Sequence, residues 1–211
     1  MHQRSFPSMI AFGLVLAAAA LLGGEPSTLA QTPRAAQQAV PPDSVAGGKT
    51  AAHFMLTSAD FEDGGALRRA QANTRCGGRN VSPALEWSNP PDGTQSYVLL
   101  MHDPDSPGAE GFWHWIVYDI PVSTTSLPAN AGDVHKSLMP AGVVQARSDF
   151  GNEGYGGPCP PPGKLHRYFF RLYAMPVAKL NVPPDATATI ISSYADATAL
   201  GKAQLMGTYA H

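Results

Sequence analysis

Three short apolar runs constrain what this chain can fold into more than any other feature of its sequence. They are SYVLLMH at 96–102, WHWIVYDI at 113–120 and RYFFRLYAM at 167–175. Short runs rich in aromatic and branched side chains are typical of buried β-strands. No helical pattern alternates with them, which disfavours parallel βαβ folds. The 21 glycines and 20 prolines among 211 residues fit a loop-rich β protein.

Weaker patterns complete the predicted domain. His53–Ser58 and Ala84–Trp87 are predicted as short strands, and the final residues, KAQLMGTYAH, as another. Segment 123–163 is predicted to be largely irregular. A helix is predicted over Ala186–Leu200, ended by Gly201, with apolar residues at helical spacing: Ile190, Ile191, Tyr194, Ala197 and Leu200. The sequence therefore predicts a mostly antiparallel β domain with one late helix.

The first 30 residues have the parts of a secretory signal peptide. Arg4 precedes an apolar run of 14 residues, Met9–Leu22, and Thr28-Leu29-Ala30 fits an A-x-A-type cleavage site. The run is short for a membrane span, and an uncleaved anchor is the alternative. We predict that residues 1–30 are a cleaved signal peptide and that the protein is periplasmic or secreted, with no transmembrane segment after cleavage.

Composition divides the rest of the chain into a linker and a folded domain. Residues 31–50 are rich in Ala, Gln and Pro without apolar periodicity, which predicts a disordered linker. Residues 51–211 are predicted to form one domain. The formal net charge of -2 and the 14% of charged residues argue against nucleic-acid binding, which normally uses a basic face.

The stretch HDPDSPGAEGFWHWIVYDIP at 102–121 places acidic residues and a histidine beside buried strands. Asp103 leaves one predicted strand and His114 enters the next. If these strands are neighbours, both side chains lie at the same end of the sheet. Strict alternation predicts that His114 shares a face with Ile116 and Tyr118, opposite the face formed by Trp113, Trp115 and Val117.

A second cluster lies in GYGGPCPPPGKLHRYFF at 154–170. Alternation places His166 and Tyr168 on one face and Arg167 on the other. The glycine- and proline-rich loop before them can cradle an oxyanion through backbone N–H groups. Imidazoles, a phenol and amides are good donors to phosphate, so the two clusters predict a small anion pocket. The alternative is that these histidines are ordinary surface or core residues.

Several motifs in this order resemble the phosphatidylethanolamine-binding protein family, and most closely its bacterial Raf-kinase-inhibitor-like branch. The resemblance covers about residues 52–211. It rests on CGGRNVSPALEW at 76–87, DPDSP at 103–107, FWHW at 112–115, GYGGPCPP at 154–161, LHRYFFRLYA at 165–174 and GTY at 207–209.

The resemblance implies a mainly β fold, with a large antiparallel sheet packed with a smaller sheet plus peripheral helices. It implies a pocket for phosphate-like groups or phospholipid head groups, and we expect no enzymatic activity and no cofactor. The positions that match the family's pocket motifs are Asp103, Asp105, His114, Gly156, Gly157, Pro158, Pro160, His166 and Tyr168.

Two departures from the branch concern its C-terminal part. The branch usually has a histidine in the late helix, about where Tyr194 and Ala195 lie here, and an arginine is common after Gly-Thr-Tyr, where this chain ends in Ala210-His211. Relatives suggest a homodimer. The departures leave the dimer geometry and the ligand size open.

The sequence contains two cysteines, Cys76 and Cys159. An oxidising compartment permits a disulfide between them. It would close a loop of 84 residues, 76 to 159, for which chain entropy suggests about 4–5 kcal/mol of stabilisation. The sequence gives no distance between the sulfur atoms, so it does not decide whether they are bonded.

Two other functions compete with small-anion binding. The first is inhibition or regulation of a protein partner, such as a protease or kinase, through an exposed loop within 123–151. The second is a metal-dependent phosphohydrolase using Asp103, His114 and His166, since one Asp and two His can bind zinc. The sequence offers no residue to serve as the base of such a hydrolase.

Overall fold

The computed structural model describes residues 53–211, so the predicted signal peptide and the whole of the predicted linker lie outside the described residues. The described part consists of two antiparallel sheets and one α-helix. Its elements in chain order are β1 (Met55–Thr57), β2 (Leu85–Ser88), β3 (Ser96–Asp103), β4 (Phe112–Pro121), β5 (Ser126–Leu127), β6 (Val144–Gln145), β7 (Leu165–Met175), α1 (Ala188–Thr198) and β8 (Gly201–Ala210).

The large sheet has the strand order β6-β4-β3-β7-β8, and the small sheet has the order β1-β2-β5. The three runs that dominate the sequence form β3, β4 and β7 at the centre of the large sheet. The mainly β fold with a large and a smaller antiparallel sheet is confirmed. Segment 123–163 contains only the two-residue strands β5 and β6.

Apolar side chains cover both faces of the large sheet. One face packs against the small sheet in a core that includes Leu85, Trp87, Leu99 and Phe170. The other face packs against α1 through residues that include Ile191 and Ala195. Because β3 is covered on both sides, its residues from Ser96 to Met101 are all buried, which explains the continuous apolar run in the sequence.

Helix α1 packs Ile191 and Tyr194 of the predicted apolar set against the core, but not the other three residues. Its buried residues are Ala188, Ile191, Ser192 and Ala195, whereas Ile190, Ala197 and Leu200 are exposed. The helix begins after Thr187, whose hydroxyl accepts a hydrogen bond from the backbone N–H of Ile190 at 3.3 Å. It ends at Thr198, and Gly201 is the first residue of β8 rather than the end of the helix. No helix among residues 53–211 is long and apolar enough to cross a membrane.

A β-bulge in β4 overturns the predicted alternation around His114. Met101 pairs with Trp115 but His102 pairs with Trp113, so His114 is an extra residue opposite β3. Trp113 therefore packs on the α1 side of the large sheet, together with Ile116 and Tyr118, while Trp115 packs on the side of the small sheet, together with Val117. The predicted shared face of Trp113 and Trp115 is wrong.

Candidate functional site

A small cavity lies at the end of β3 where the loop after β3, the bulge in β4 and the start of β7 meet. Its volume is about 110 Å³. The lining residues are Asp103, Ser106, Phe112, His114, Phe150, Cys159, Pro160, Pro161, His166 and Tyr168. Both predicted clusters therefore contribute to one cavity.

Asp103 is buried at the end of β3 and uses both carboxylate oxygens. Its Oδ1 accepts backbone hydrogen bonds from Asp105 at 2.9 Å and Ser106 at 3.1 Å, which fixes the turn that leaves the strand. Its Oδ2 accepts a hydrogen bond from Nδ1 of His166 at 2.8 Å. One side chain thus shapes the loop and orients an imidazole of the neighbouring strand.

His114 reaches the cavity because of the bulge. Its ring packs against the rings of Tyr168 and Phe150, with centroids 5.2 Å and 5.4 Å away. Its Nδ1 donates to the carbonyl oxygen of Gly156 at 2.7 Å, and its own carbonyl oxygen accepts from the Gly156 N–H at 2.9 Å. Burial lowers the pKa of His114 to about 4, although the Gly156 carbonyl and the Asp103 carboxylate act in the opposite direction. The ring is therefore neutral at pH 7.

His166 and Tyr168 share one face of β7, as alternation predicts. Because Asp103 accepts from Nδ1 of His166, Nε2 is the ring nitrogen left for a ligand. The Tyr168 hydroxyl is buried and has no hydrogen-bond partner among the described residues. Burial raises the pKa of this phenol, so it is a hydroxyl donor at neutral pH. The two side chains offer the cavity an imidazole nitrogen and an unpartnered hydroxyl.

Asp105 does not line the cavity, in contrast to its predicted place in the ligand-binding set. Its carboxylate forms a two-point ion pair with the Arg167 guanidinium, at 2.6 Å and 2.9 Å, and also accepts from the Arg167 backbone N–H at 2.9 Å. These hydrogen bonds lower the pKa of Asp105 to about 2. Asp105 therefore fastens the loop after β3 to β7 beside His166.

The glycine–proline loop supports the cavity in a different way from the prediction. The N–H of Gly156 donates to the His114 carbonyl oxygen and that of Gly157 donates to Oδ1 of Asn80, so neither is available to an anion. A Cβ at Gly157 would lie 2.1 Å from the carbonyl oxygen of Gln71. Pro158 accepts a backbone hydrogen bond from Asn73 and lies outside the lining, whereas Pro160 is part of it.

The cavity also has apolar walls that sequence reasoning did not assign to it. Phe112, Phe150 and Pro161 line it, and so does Ser106. Ser106 and Phe112 lie within the quoted motifs DPDSP and FWHW, but Phe150 lies in segment 123–163, where no pattern singled it out. Cys159 lines the cavity and forms a disulfide with Cys76, which ties the wall to the short helical turn Thr74–Cys76.

The described residues contain no group of three His, Cys, Asp or Glu side chains placed to hold one metal ion. Asp103 and His166 are instead joined directly by a hydrogen bond. Nε2 of His114 lies 4.0 Å from Oδ2 of Asp103. This arrangement suits hydrogen bonding to a small ligand.

Comparison with known proteins gives the family. A sequence model of the phosphatidylethanolamine-binding protein family matches residues 57–210. The chain belongs to the phosphatidylethanolamine-binding protein family. The UPF0098 protein YbcL of Escherichia coli is 37% identical over 162 residues, which cover 75% of this chain and 88% of that protein.

A solved structure and a second relative agree with this assignment. The crystal structure of E. coli YbcL, described as a new member of the mammalian PEBP family, has a TM-score of 0.72 and 36% identity, and the match covers 76% of this chain and 99% of that one. The putative lipoprotein LppC of Mycobacterium tuberculosis is 34% identical over 188 residues, covering 89% of this chain and 87% of that protein. None of these names describes an enzymatic activity.

Proposed function

We propose that this protein binds a phosphate-like group, as a free small molecule or as a lipid head group, in the cavity between Asp103 and Tyr168. The observation that carries the proposal is the buried Tyr168 hydroxyl, which lines the cavity without a hydrogen-bond partner among the described residues. An unpaired buried hydroxyl is costly, and an anionic oxygen would satisfy it.

The surrounding groups give the proposed ligand a fixed position. Asp103 fixes the ring of His166 through Nδ1, so Nε2 is the ring nitrogen available to the ligand. The Phe112 and Phe150 rings pack against each other at 4.7 Å and close one side of the cavity. Rigid walls reduce the entropy lost on binding. A volume of about 110 Å³ suits one small group rather than a whole lipid.

We also propose that the protein acts outside the cytoplasm, in the periplasm or as a secreted protein. The apolar run Met9–Leu22 behind Arg4 supports export. The relative LppC is named as a putative lipoprotein, which also supports a location outside the cytoplasm. The disulfide between Cys76 and Cys159 is of the kind that persists in oxidising compartments.

Calorimetric titration of residues 31–211 with phosphate and with phosphoethanolamine tests the binding proposal. We expect saturable binding by the wild type and its loss in His166→Ala and Asp103→Ala. His135→Ala is the matched control, because His135 is exposed and does not line the cavity. Absence of binding by folded wild-type protein, or equal loss in His135→Ala, would overturn the proposal.

Regulation of a protein partner is a second candidate, supported by one surface feature. Val134, Leu138 and Val144 are large apolar residues exposed by 42%, 41% and 37%, and all three line one groove within segment 123–151. A photoreactive residue at position 138, expressed in intact cells, should then give a discrete cross-linked adduct. One at position 122, whose valine is 46% exposed and outside this groove, should not. Equal labelling from both positions would remove this candidate.

A further inference from the structure

We propose that the ligand of this cavity donates a hydrogen bond to Nε2 of His114. The site then takes inorganic phosphate or a phosphomonoester that carries a proton, in preference to a fully deprotonated oxyanion or a phosphodiester. The inference rests on the proposed function, because it concerns the same cavity and names the class of phosphate that fits it.

The hydrogen bond between His114 and Gly156 fixes the tautomer of the imidazole. The carbonyl oxygen of Gly156 can only accept, and it lies 2.7 Å from Nδ1, so Nδ1 carries the proton. In the neutral ring Nε2 then has a lone pair. The side chain is 4% exposed, and the aromatic rings of Phe112, Phe150 and Tyr168 surround it, which disfavours a second proton.

The charged and titratable groups around His114 leave Nε2 without a donor of their own. From β3, Oδ2 of Asp103 lies 4.0 Å away and is an acceptor. From β7, His166 uses its Nδ1–H for Asp103, and Tyr168 forms no hydrogen bond among the described residues. Asp149, on the loop after β6, accepts from the backbone N–H of Trp113 at 2.7 Å. His102 faces the opposite side of the large sheet, where its ring packs on Trp113.

The cavity therefore pairs acceptors with donors. The lone pair of His114 and the carboxylate of Asp103 accept, while the Tyr168 hydroxyl donates. A sulfate ion or a phosphodiester has no proton at neutral pH, so one of its oxygens would face the His114 lone pair with no hydrogen between them. A phosphomonoester has a second pKa of about 6, so its protonated form is available near neutrality. Leaving a buried acceptor unpaired costs about tenfold or more in affinity.

Comparing sulfate with phosphate tests this inference, because the two ions have the same size and shape but sulfate carries no proton. We would measure by calorimetry at pH 6.5 the affinity of the purified protein for inorganic phosphate, methyl phosphate, sulfate and dimethyl phosphate. We expect phosphate and methyl phosphate to bind at least about tenfold more tightly than sulfate. Dimethyl phosphate should bind as weakly as sulfate.

Proton uptake gives a second readout on the same protein. Titrations at pH 8 in buffers of different ionisation enthalpy should show about one more proton taken up per methyl phosphate than per sulfate, because a phosphomonoester is a dianion at this pH. The sulfate titration is the control for protons taken up by the protein itself. In His114→Gln, whose amide can turn an N–H towards the ligand, the preference for phosphate over sulfate should fall below about threefold.

The outcomes separate this inference from the proposed function. If sulfate binds within about twofold of phosphate, the inference is overturned and anion binding in the cavity stands. If the preference for phosphate survives in His114→Gln, the proton is accepted elsewhere and the assignment to His114 is wrong. If no ligand of the series binds to folded protein, the inference and the proposed function fail together.

Discussion

Burial of a single imidazole links the stability of this protein to pH. The folded pKa of His114 is about 4, against 6.5 for an unperturbed histidine, so the folded state binds fewer protons than the unfolded state between these values. The contribution of His114 to the free energy of unfolding is fully present above pH 6.5 and is lost as the pH falls towards 4. The loss from this one residue should reach about 3 kcal/mol, at 1.36 kcal/mol per pKa unit.

Urea unfolding of wild type and of His114→Gln between pH 7.5 and 4 measures this contribution. The glutamine does not titrate, so the wild type should lose about 3 kcal/mol more than the variant over this range. The NMR signal of His114 should titrate near pH 4. Parallel stability profiles for the two proteins would show that folding leaves the pKa of His114 near its ordinary value.

Asp103 and Asp105 differ in role despite being two positions apart. Replacing Asp103 with Asn should reduce phosphate affinity more than tenfold, because the carboxylate orients His166 inside the cavity. Asp105→Asn should change it by less than about threefold, and the free energy of unfolding by at most about 1 kcal/mol, because the exposed pair with Arg167 lies outside the cavity. Calorimetry and urea unfolding check both values. Equal loss of affinity in the two variants would contradict the separate roles.

At the scale of elements, His114 is held by hydrogen bonds to Gly156, in a loop that passes very close to the backbone of residues 71–73. A Cβ at Gly157 would lie 2.1 Å from the carbonyl oxygen of Gln71 and 2.7 Å from the backbone nitrogen of Asn73, so Gly157→Ala must displace the loop. We expect destabilisation of about 1–3 kcal/mol and a loss of phosphate affinity, measured by urea unfolding and calorimetry.

Gly163→Ala is the matched control for this loop. Gly163 has a φ of +74° and open space around its Cβ position, so alanine there introduces backbone strain without a collision. It should lower stability by about 1–2 kcal/mol and leave phosphate binding unchanged. A loss of affinity in both variants would show that general strain, rather than the support of His114, is responsible.

The positions of the strands could be predicted from the sequence more completely than the face of the sheet on which each side chain lies. Long apolar runs indicated β3, β4 and β7, since burial on both sides of a sheet leaves a clear signal. The bulge at His114 left no such signal, because register depends on pairing with β3 rather than on local composition. The exposed position of Ile190 also follows from how α1 docks on the large sheet, which a helical spacing does not define.

The cavity-lining side chains that lie on a regular strand could be predicted from the sequence. Those that lie on a loop could not. His166 and Tyr168 share a cavity because β7 alternates regularly. Phe150 enters the same cavity from segment 123–163, whose path is set by tertiary contacts such as the one between its ring and Phe112. Asp105 matched a motif, yet its place beside Arg167 depends on the pairing of the loop with β7.

For the whole molecule, the disulfide between Cys76 and Cys159 closes a long covalent loop. The two residues are separated by 83 positions, so chain entropy predicts about 4–5 kcal/mol of stabilisation. Replacing both with serine should lower the free energy of unfolding by that order. The melting temperature of the wild type should fall on full reduction, while that of the double variant should be the same with and without reductant. An unchanged wild type after reduction would contradict this contribution.

We propose that one small anion binds between His114 and His166. We would record long-range ¹H–¹⁵N spectra of the imidazole nitrogens while titrating the protein with phosphate. We expect saturable shifts at Nε2 of His114 and of His166, and none at the exposed His53, His135 and His211. Unchanged signals from His114 and His166 at saturating phosphate, or shifts confined to the exposed histidines, would contradict it.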